Sequence, residues 1–166
     1  MSIPAVRLNH AVLFVSDLER SVDFWTTTFD MTVIAREPRA NAAFLRLGHG
    51  ENHHDLGLFG LGESASRQGG RSLGLYHLAW QIDTIQQLAD ARATLVGNGA
   101  YTGESSHGAT KSVYGVDLDG NEFEVMWMLP HDEWGAYESE APIDPLDLEA
   151  EVARWTDLRT ATTPST

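Results

Sequence analysis

Apolar and polar positions alternate along the chain in a way that predicts two similar halves. Short apolar runs rich in β-branched and aromatic residues predict strands, and apolar residues three or four positions apart predict helices. The predicted strands cover residues 8–15, 31–35, 43–47, 55–60, 75–80, a stretch near 100, 112–116 and 122–128. Two sets of residues predict the buried helix faces: Leu18, Val22, Trp25 and Phe29 in the first half, and Ile85, Leu88, Ala91 and Leu95 in the second.

The two halves repeat with one offset. His10 and His77 lie 67 residues apart, and each is the third residue of a Leu-x-His opening to a predicted strand. The predicted helix caps have the same offset, since Ser16 forms a capping box with Glu19 and Asp83 begins the second helix. A repeat of this kind predicts two copies of a βαβββ unit.

The predicted fold class is α+β, with both βαβββ modules in one paired-sheet domain at residues 1–130. Module one covers about residues 7–62 and module two about 74–130, joined by a polar loop at 63–73. Each module leaves one apolar sheet face, so two copies are expected to bury it together and to form a concave site. Residues 131–166 are a C-terminal extension with an accessory helix at 142–158, starting at Asp144-Pro145, and a disordered tail at 161–166.

Composition restricts the partners. The 166 residues are 42% hydrophobic, which is enough for one compact domain. No apolar run reaches the roughly 20 residues that span a bilayer, and no secretory pattern begins the chain. The absence of cysteine agrees with a cytoplasmic location. A net charge of −13 repels phosphates, which argues against nucleic acid and membrane surfaces as partners.

Glu124 lies in an apolar strand, where an ionised carboxylate needs a partner. His10 and His77 occupy equivalent places in the repeat, and with Glu124 they form a set of two histidines and one carboxylate. This facial triad is characteristic of non-heme Fe(II) oxygenases. Either histidine taken alone is more often a hydrogen-bonded core residue than a metal ligand.

These residues resemble the ligand motifs of the vicinal oxygen chelate superfamily, and among its members the type I extradiol ring-cleavage dioxygenases. The resemblance covers about residues 7–130 and is carried by Leu8-Asn9-His10, by Leu75-Tyr76-His77 and by the Asp117-Leu118-Asp119-Gly120-Asn121 turn before Glu124. It implies a paired-sheet vicinal oxygen chelate fold with His10, His77 and Glu124 as metal ligands. Glyoxalases, epimerases and antibiotic-resistance proteins share these motifs.

Three further residues resemble those that distinguish the extradiol enzymes, namely His54, His107 and Tyr114, with Glu124 ten positions after the tyrosine. Taken singly, His54 and His107 are also consistent with surface histidines, and Tyr114 with a packed sheet residue. The chain departs from the pattern at Leu118, where proline is usual, and at Lys111, where some relatives have a second loop histidine. The second change is expected to alter substrate handling.

The resemblance implies a catechol-type substrate that chelates Fe(II), with Mn(II) as an alternative, and dioxygen as co-substrate. His54 would act as acid and base, and His107 and Tyr114 would bind the substrate oxygens. Specificity is expected from a loop at residues 63–73, a loop at residues 101–111 that contains His107, and the tail after Pro130. A homodimer or larger homo-oligomer is expected.

Two other functions remain open from the sequence. A glyoxalase- or epimerase-type lyase or isomerase commonly has a fourth ligand, but the 67-residue offset from Glu124 leads to Gly57, with only Asp55 nearby. A protein that binds an aromatic drug is the other alternative.

Overall fold

The computed structural model describes residues 2–66, 73–156 and 158–160. The chain divides into two compact units, Met1–Ser72 and Leu73–Thr166. Each unit has a four-stranded mixed sheet with helical cover, which confirms the predicted α+β class and the paired βαβββ modules. The predicted tail at 161–166 and residues 67–72 of the predicted loop lie outside the described residues.

The first unit follows the βαβββ order. Its elements are β1 (Ala11–Val15), α1 (Leu18–Phe29), β2 (Thr32–Glu37), β3 (Ala42–Arg46) and β4 (Leu56–Gly60). The sheet order is β1-β4-β3-β2, with β1 parallel to β4 and the other pairs antiparallel. Alternation along the strands buries Leu13, Leu45 and Leu58, and the buried Trp25 of α1 belongs to the same core.

The second unit has the same order and adds a C-terminal helix. Its elements are β5 (His77–Ile82), α2 (Ile85–Gly97), β6 (Tyr101–Ser106), β7 (Thr110–Val116), β8 (Glu122–Met128) and α3 (Leu148–Trp155). The sheet order is β5-β8-β7-β6, with β5 parallel to β8. Helix α2 packs on β7 and β8, and α3 packs on α2 with Leu148 buried.

Strand register reproduces the repeat of the sequence. In the first unit Val12 pairs with Gly57, and in the second Ala79 pairs with Glu124. Both residues of the second pair lie 67 positions after their counterparts, so Gly57 holds in its sheet the place that Glu124 holds in the other. The offset therefore identifies equivalent positions correctly.

Helices α1 and α2 each begin one residue later than the sequence predicts. The predicted caps Ser16 and Asp83 are wrong, because the side chain of Asp17 accepts the amide of Arg20 and Thr84 caps α2. Thr84 and Gln87 complete a reciprocal capping box. The 67-residue offset survives, since both caps move together.

The C-terminal helix is shorter than predicted, because it starts at Leu148 with Asp147 as its cap. Asp144 does not cap it, since its backbone instead pairs with Ser106 in an antiparallel bridge. His107 also departs from expectation: Gly103 to Ser106 belong to β6, so His107 starts a tight turn and does not lie in a long loop. In the part of the chain that the structure describes, no helix is both long and apolar enough to cross a membrane.

Candidate functional site

One face of the second sheet carries several of the candidate site residues. Strands β7 and β8 are antiparallel, and Tyr114 lies directly opposite Glu124, as Ser112 lies opposite Met126. Side chains of paired residues point to the same face of a sheet. A pocket on this face is lined by Tyr76, His77, Ser105, His107, Thr110, Tyr114, Glu124 and Ile143, among others.

His77 and Glu124 approach each other on this face as two ligands of one ion would. His77 Nε2 lies 3.0 Å from Glu124 Oε2, and the glutamate is buried. Two donors at right angles on an ion, each about 2.1 Å away, are about 3.0 Å apart. An imidazole nitrogen and a carboxylate oxygen at this spacing fit a divalent metal ion.

The other oxygen of Glu124 is held by a serine that the sequence reasoning missed. Ser112 is fully buried, and its hydroxyl donates a hydrogen bond to Glu124 Oε1. This bond leaves Oε2 directed at His77. Alternation along β7 places Thr110, Ser112 and Tyr114 on one face, and this pattern could have identified Ser112 from the sequence.

A hydroxyl-imidazole cluster lies beside this pair. Tyr114 Oη is 2.8 Å from His107 Nε2, Ser105 Oγ is 2.8 Å from the same nitrogen, and the two hydroxyls are 3.0 Å apart. The ring centroids of Tyr114 and His77 lie 5.9 Å apart. Ser105 was also missed by the sequence reasoning, whereas His107 and Tyr114 lie together as predicted.

The turn before β8 fixes where Glu124 enters the sheet. The carboxylate of Asp117 accepts the amides of Asp119 and Asn121 and the side-chain amide of Asn121. Burial raises the pKa of Asp117, and these hydrogen bonds oppose the shift. Gly120 has φ +84°, which favours glycine. Leu118 is 43% exposed, so leucine in place of the usual proline disturbs no packing.

Lys111 lies on the opposite face of β7 from the pocket. It is buried, with Nζ 2.8 Å from Ser106 Oγ and 3.4 Å from a carboxylate oxygen of Glu151 in α3. The residue therefore attaches the C-terminal helix to β7. It does not line the pocket, so a direct part in substrate handling is not supported.

In the first unit His10 is oriented by a chain of three polar side chains. Asp55 accepts from Asn52 Nδ2, Asn52 Oδ1 accepts from Asn9 Nδ2, and Asn9 Oδ1 lies 2.9 Å from His10 Nδ1. Because a carboxylate only accepts, these directions are fixed, and His10 Nδ1 carries the proton. Nε2 of His10 then keeps its lone pair, which is the state that a metal ligand needs.

His54 lies against His10 in the same unit. The two ring centroids are 4.5 Å apart. The ring centroid of Phe44 lies 5.1 Å from that of His54, in an edge-to-face arrangement. Burial lowers the pKa of His54, its electrostatic interactions with His10 and His53 lower it further, and Asp55 opposes the shift. His10 and His54 both lie just before strands and not within them.

The structure thus gathers His77, Glu124, His107 and Tyr114 in the second unit, and His10 with His54 in the first. Within the described ranges no group of three or more His, Cys, Asp or Glu side chains could hold a metal ion. The three-ligand set of His10, His77 and Glu124 therefore stays a prediction.

In the first unit, the position at which a fourth metal ligand would be expected has no side chain that could bind a metal ion. A Cβ at Gly57 would lie 3.3 Å from Val12 and 3.6 Å from the ring of Phe44. Asp55 is engaged, since its oxygens accept the amide of Leu47 and the side chain of Asn52.

Comparisons with known proteins agree with this architecture. A family model described as the Glyoxalase/Bleomycin resistance protein/Dioxygenase superfamily matches residues 7–136. Biphenyl-2,3-diol 1,2-dioxygenase 2 of Rhodococcus globerulus is 29% identical over 124 residues, 70% of this chain and 60% of that protein. The chain thus spans less than two thirds of this curated relative.

Two solved structures illustrate the shared fold. A glyoxylase/bleomycin resistance protein/dioxygenase domain from Frankia sp. EAN1pec gives a TM-score of 0.64 at 20% identity, over 75% of this chain and 98% of that chain. A mutant of the fosfomycin resistance protein FosX from Listeria monocytogenes, complexed with Mn(II) and a dihydroxypropylphosphonic acid, gives 0.59 at 19% identity, over 76% and 94%.

Proposed function

We propose that this chain, which belongs to the Glyoxalase/Bleomycin resistance protein/Dioxygenase superfamily, is a metal-dependent extradiol dioxygenase. Its substrate would be a catechol-type ring. The observation that carries this proposal is the hydroxyl-imidazole cluster of Tyr114 and His107 beside the His77–Glu124 pair. The relative named as a biphenyl-2,3-diol dioxygenase supports the same choice.

His10, His77 and Glu124 would hold the metal, with Fe(II) as the first choice and Mn(II) as the second. The 3.0 Å approach of His77 and Glu124 supports this set, as does the bond of His10 Nδ1 to Asn9, which makes Nε2 the acceptor nitrogen of the neutral ring. Bound there, the ion supplies a template for the two diol oxygens and a path for electrons to dioxygen. A protein of similar fold is complexed with Mn(II), which supports manganese as the alternative metal.

The side chains of the second unit bind and orient the diol. His107 Nε2 and Tyr114 Oη are placed to accept a proton from a ring hydroxyl or to hold its oxygen. His54 is the proposed acid and base toward oxygen, a role taken from the resemblance. The overall reaction breaks one ring carbon–carbon bond and inserts both atoms of dioxygen, and the ring supplies all four electrons.

Oxygen uptake with a catechol panel tests the proposal on protein loaded anaerobically with Fe(II). Wild-type protein should consume one dioxygen per diol and form a coloured ring-fission product. Tyr114→Phe should lower kcat/KM by about 10²-fold or more, because it removes a group that moves or holds a proton. Tyr101→Phe, a tyrosine of the same hairpin outside the pocket, should stay near wild type. No uptake with any catechol by fully loaded protein would contradict the proposal.

Metal binding is tested with two glutamates of one strand. Glu124→Gln should abolish near-stoichiometric Fe(II) binding, since it replaces the anionic ligand with a neutral amide. Glu122→Gln is the matched control, because Glu122 Oε1 lies 3.9 Å from His77 Nδ1 and carries the same charge near the same histidine. Elemental analysis of dialysed protein should find iron in the control only. Equal iron in both variants would exclude Glu124 as a ligand.

The lyase or isomerase alternative is less supported, because Gly57 supplies no ligand and the oxygens of Asp55 are already engaged. Oxygen-independent turnover with bound Ni, Co or Zn would favour it. Tight binding of an aromatic drug by metal-free protein would favour a resistance function instead.

A further inference from the structure

A short segment of the C-terminal extension reaches the pocket of the second unit. Asp144 exchanges two backbone hydrogen bonds of 2.9 Å with Ser106 at the end of β6. The carbonyl of Pro142 lies 2.9 Å from His107 Nδ1, and Ile143 borders the pocket. These three residues are called the 142–144 segment below.

We propose that the 142–144 segment is part of the substrate site, with Pro142 as a positioning residue for His107 and Ile143 as a specificity-determining residue. The assignment deepens the proposed function, and its kinetic part rests on that function. The positioning part is independent of it, because it concerns a proton on His107 in the free protein.

The carbonyl of Pro142 decides which nitrogen of His107 carries the proton. A carbonyl oxygen only accepts, so His107 Nδ1 must donate to it. In a neutral imidazole the other nitrogen is then an acceptor, and Nε2 faces Tyr114 Oη and Ser105 Oγ, each at 2.8 Å. One of the two hydroxyls donates to Nε2, and the other can donate to the first at 3.0 Å, so the cluster can hold the hydroxyl proton of Tyr114 within itself.

This tautomer sets the chemistry that the cluster offers to a ligand. With its proton held by His107 or Ser105, Tyr114 presents oxygen lone pairs to the pocket, so the cluster accepts a hydrogen bond. The opposite tautomer would turn Tyr114 outward as a donor. The site therefore favours a ligand oxygen that still carries its proton, such as the hydroxyl of a diol, over a carbonyl oxygen.

Ile143 supplies an apolar border next to these polar groups. It is 81% exposed, so no packing within the fold accounts for an isoleucine at this position. The backbone hydrogen bonds between Asp144 and Ser106 fix the chain next to Ile143. The buried Leu148 anchors the chain four residues after Asp144. A branched apolar side chain in this place limits the size of a substituent on the bound ring.

Nitrogen NMR of ¹⁵N-histidine-labelled full-length protein tests the positioning role, with the His107 signal assigned by its loss in His107→Gln. The wild-type ring should be the Nδ1-protonated tautomer at neutral pH. Asp144→Pro removes the amide that bonds Ser106 and should raise the population of the Nε2-protonated form, whereas Pro145→Ala should not. An Nε2-protonated wild type, or a tautomer that Asp144→Pro leaves unchanged, would overturn the role.

The specificity role is tested with catechol and biphenyl-2,3-diol as the small and large probes. Ile143→Ala should raise the ratio of kcat/KM for the large over the small diol by about tenfold, as expected when an apolar contact of this size is removed. Val96→Ala, an exposed residue of α2, is the matched control and should leave the ratio unchanged. An unchanged ratio in Ile143→Ala would overturn the role.

If the proposed function is wrong, the kinetic and NMR experiments give a different combination of results. Protein that turns over neither diol contradicts the dioxygenase, while the NMR experiment still decides on Pro142. In that case, ligand-induced shifts of the His107 signal by the two diols replace the kinetic ratio, and equal affinities in wild type and Ile143→Ala would overturn the specificity role.

Discussion

Glu124 is the residue on which the candidate site depends, and its orientation is decided by a neighbour on the next strand. Ser112 holds Oε1 from within the core, while Oε2 faces His77. Groups that orient a metal ligand typically contribute 10- to 100-fold to metal affinity. Ser112 is therefore expected to matter to metal binding without touching the ion.

Substitution of Ser112 checks this expectation. Ser112→Ala should weaken Mn(II) or Fe(II) binding by about 10- to 100-fold, and Ser112→Thr should restore most of the loss, because it returns the hydroxyl. Anaerobic titration calorimetry gives both affinities. Ser21→Ala, at a buried serine of α1, controls for the general loss of a buried hydroxyl. Equal affinity in Ser112→Ala and wild type would mean that the hydrogen bond serves only the fold.

The repeat, the apolar strand around Glu124 and the resemblance to extradiol enzymes together pointed to four titratable residues of the second unit. His77, His107, Tyr114 and Glu124 all line one pocket. Ser105, Ser112 and Pro142 could not be found in this way, because serines and backbone carbonyls occur throughout the chain. Their relevance depends on strand register and on the path of the C-terminal segment.

At the scale of elements, α3 is held to α2 partly by charge. Arg92 lies between Glu104, at 3.4 Å, and Glu149 in the first turn of α3. The hydrogen bond from Arg92 is the main cause that lowers the pKa of Glu149. A lowered carboxyl pKa stabilises the folded state above its ordinary value of 4.5, and this stabilisation is lost as the pH falls through the folded value.

Urea unfolding at several pH values checks the sign of this effect. Above pH 4.5 the wild type should have a higher midpoint than Glu149→Gln, and the two midpoints should converge as the solution becomes more acidic. The difference should be small, since the Glu149 side chain is 75% exposed and solvent screens the pair. A difference that grows on acidification would contradict this account.

The elements themselves were largely predictable, because alternation and helical spacing are set by burial. β8 (Glu122–Met128) has the bounds that the pattern predicts, whereas β1 starts at Ala11, three residues late. Cap positions were wrong by one residue, since Ser16 and Asp17 are both good caps and the local sequence does not choose between them. The start of α3 was wrong because Asp144 pairs with Ser106, a contact made across 38 residues.

The whole molecule carries a net charge of −13, which is large for 166 residues. Like charges repel across a folded surface and less so in an expanded chain, so this charge destabilises the compact state. Ions shorten the range of the repulsion to roughly 8 Å at physiological ionic strength. Salt is therefore expected to stabilise the fold.

Differential scanning calorimetry at neutral pH measures this effect. The Tm should rise by several degrees between about 10 mM and 150 mM NaCl, and KCl should give the same rise, because screening depends on ionic strength and not on the cation. A Tm that falls with either salt would show that favourable ion pairs outweigh the net repulsion.

Matching registers in the two sheets also limit how this chain can change. Gly57 and Glu124 are equivalent positions, yet a side chain at 57 would meet Val12 at 3.3 Å and the ring of Phe44 at 3.6 Å. The contact with Phe44 is an ordinary van der Waals distance, so a side chain at 57 requires only that Val12 yield by a few tenths of an ångström. A mutational path toward a four-ligand chemistry therefore passes through position 57, and its first cost is the adjustment of Val12 on the neighbouring strand.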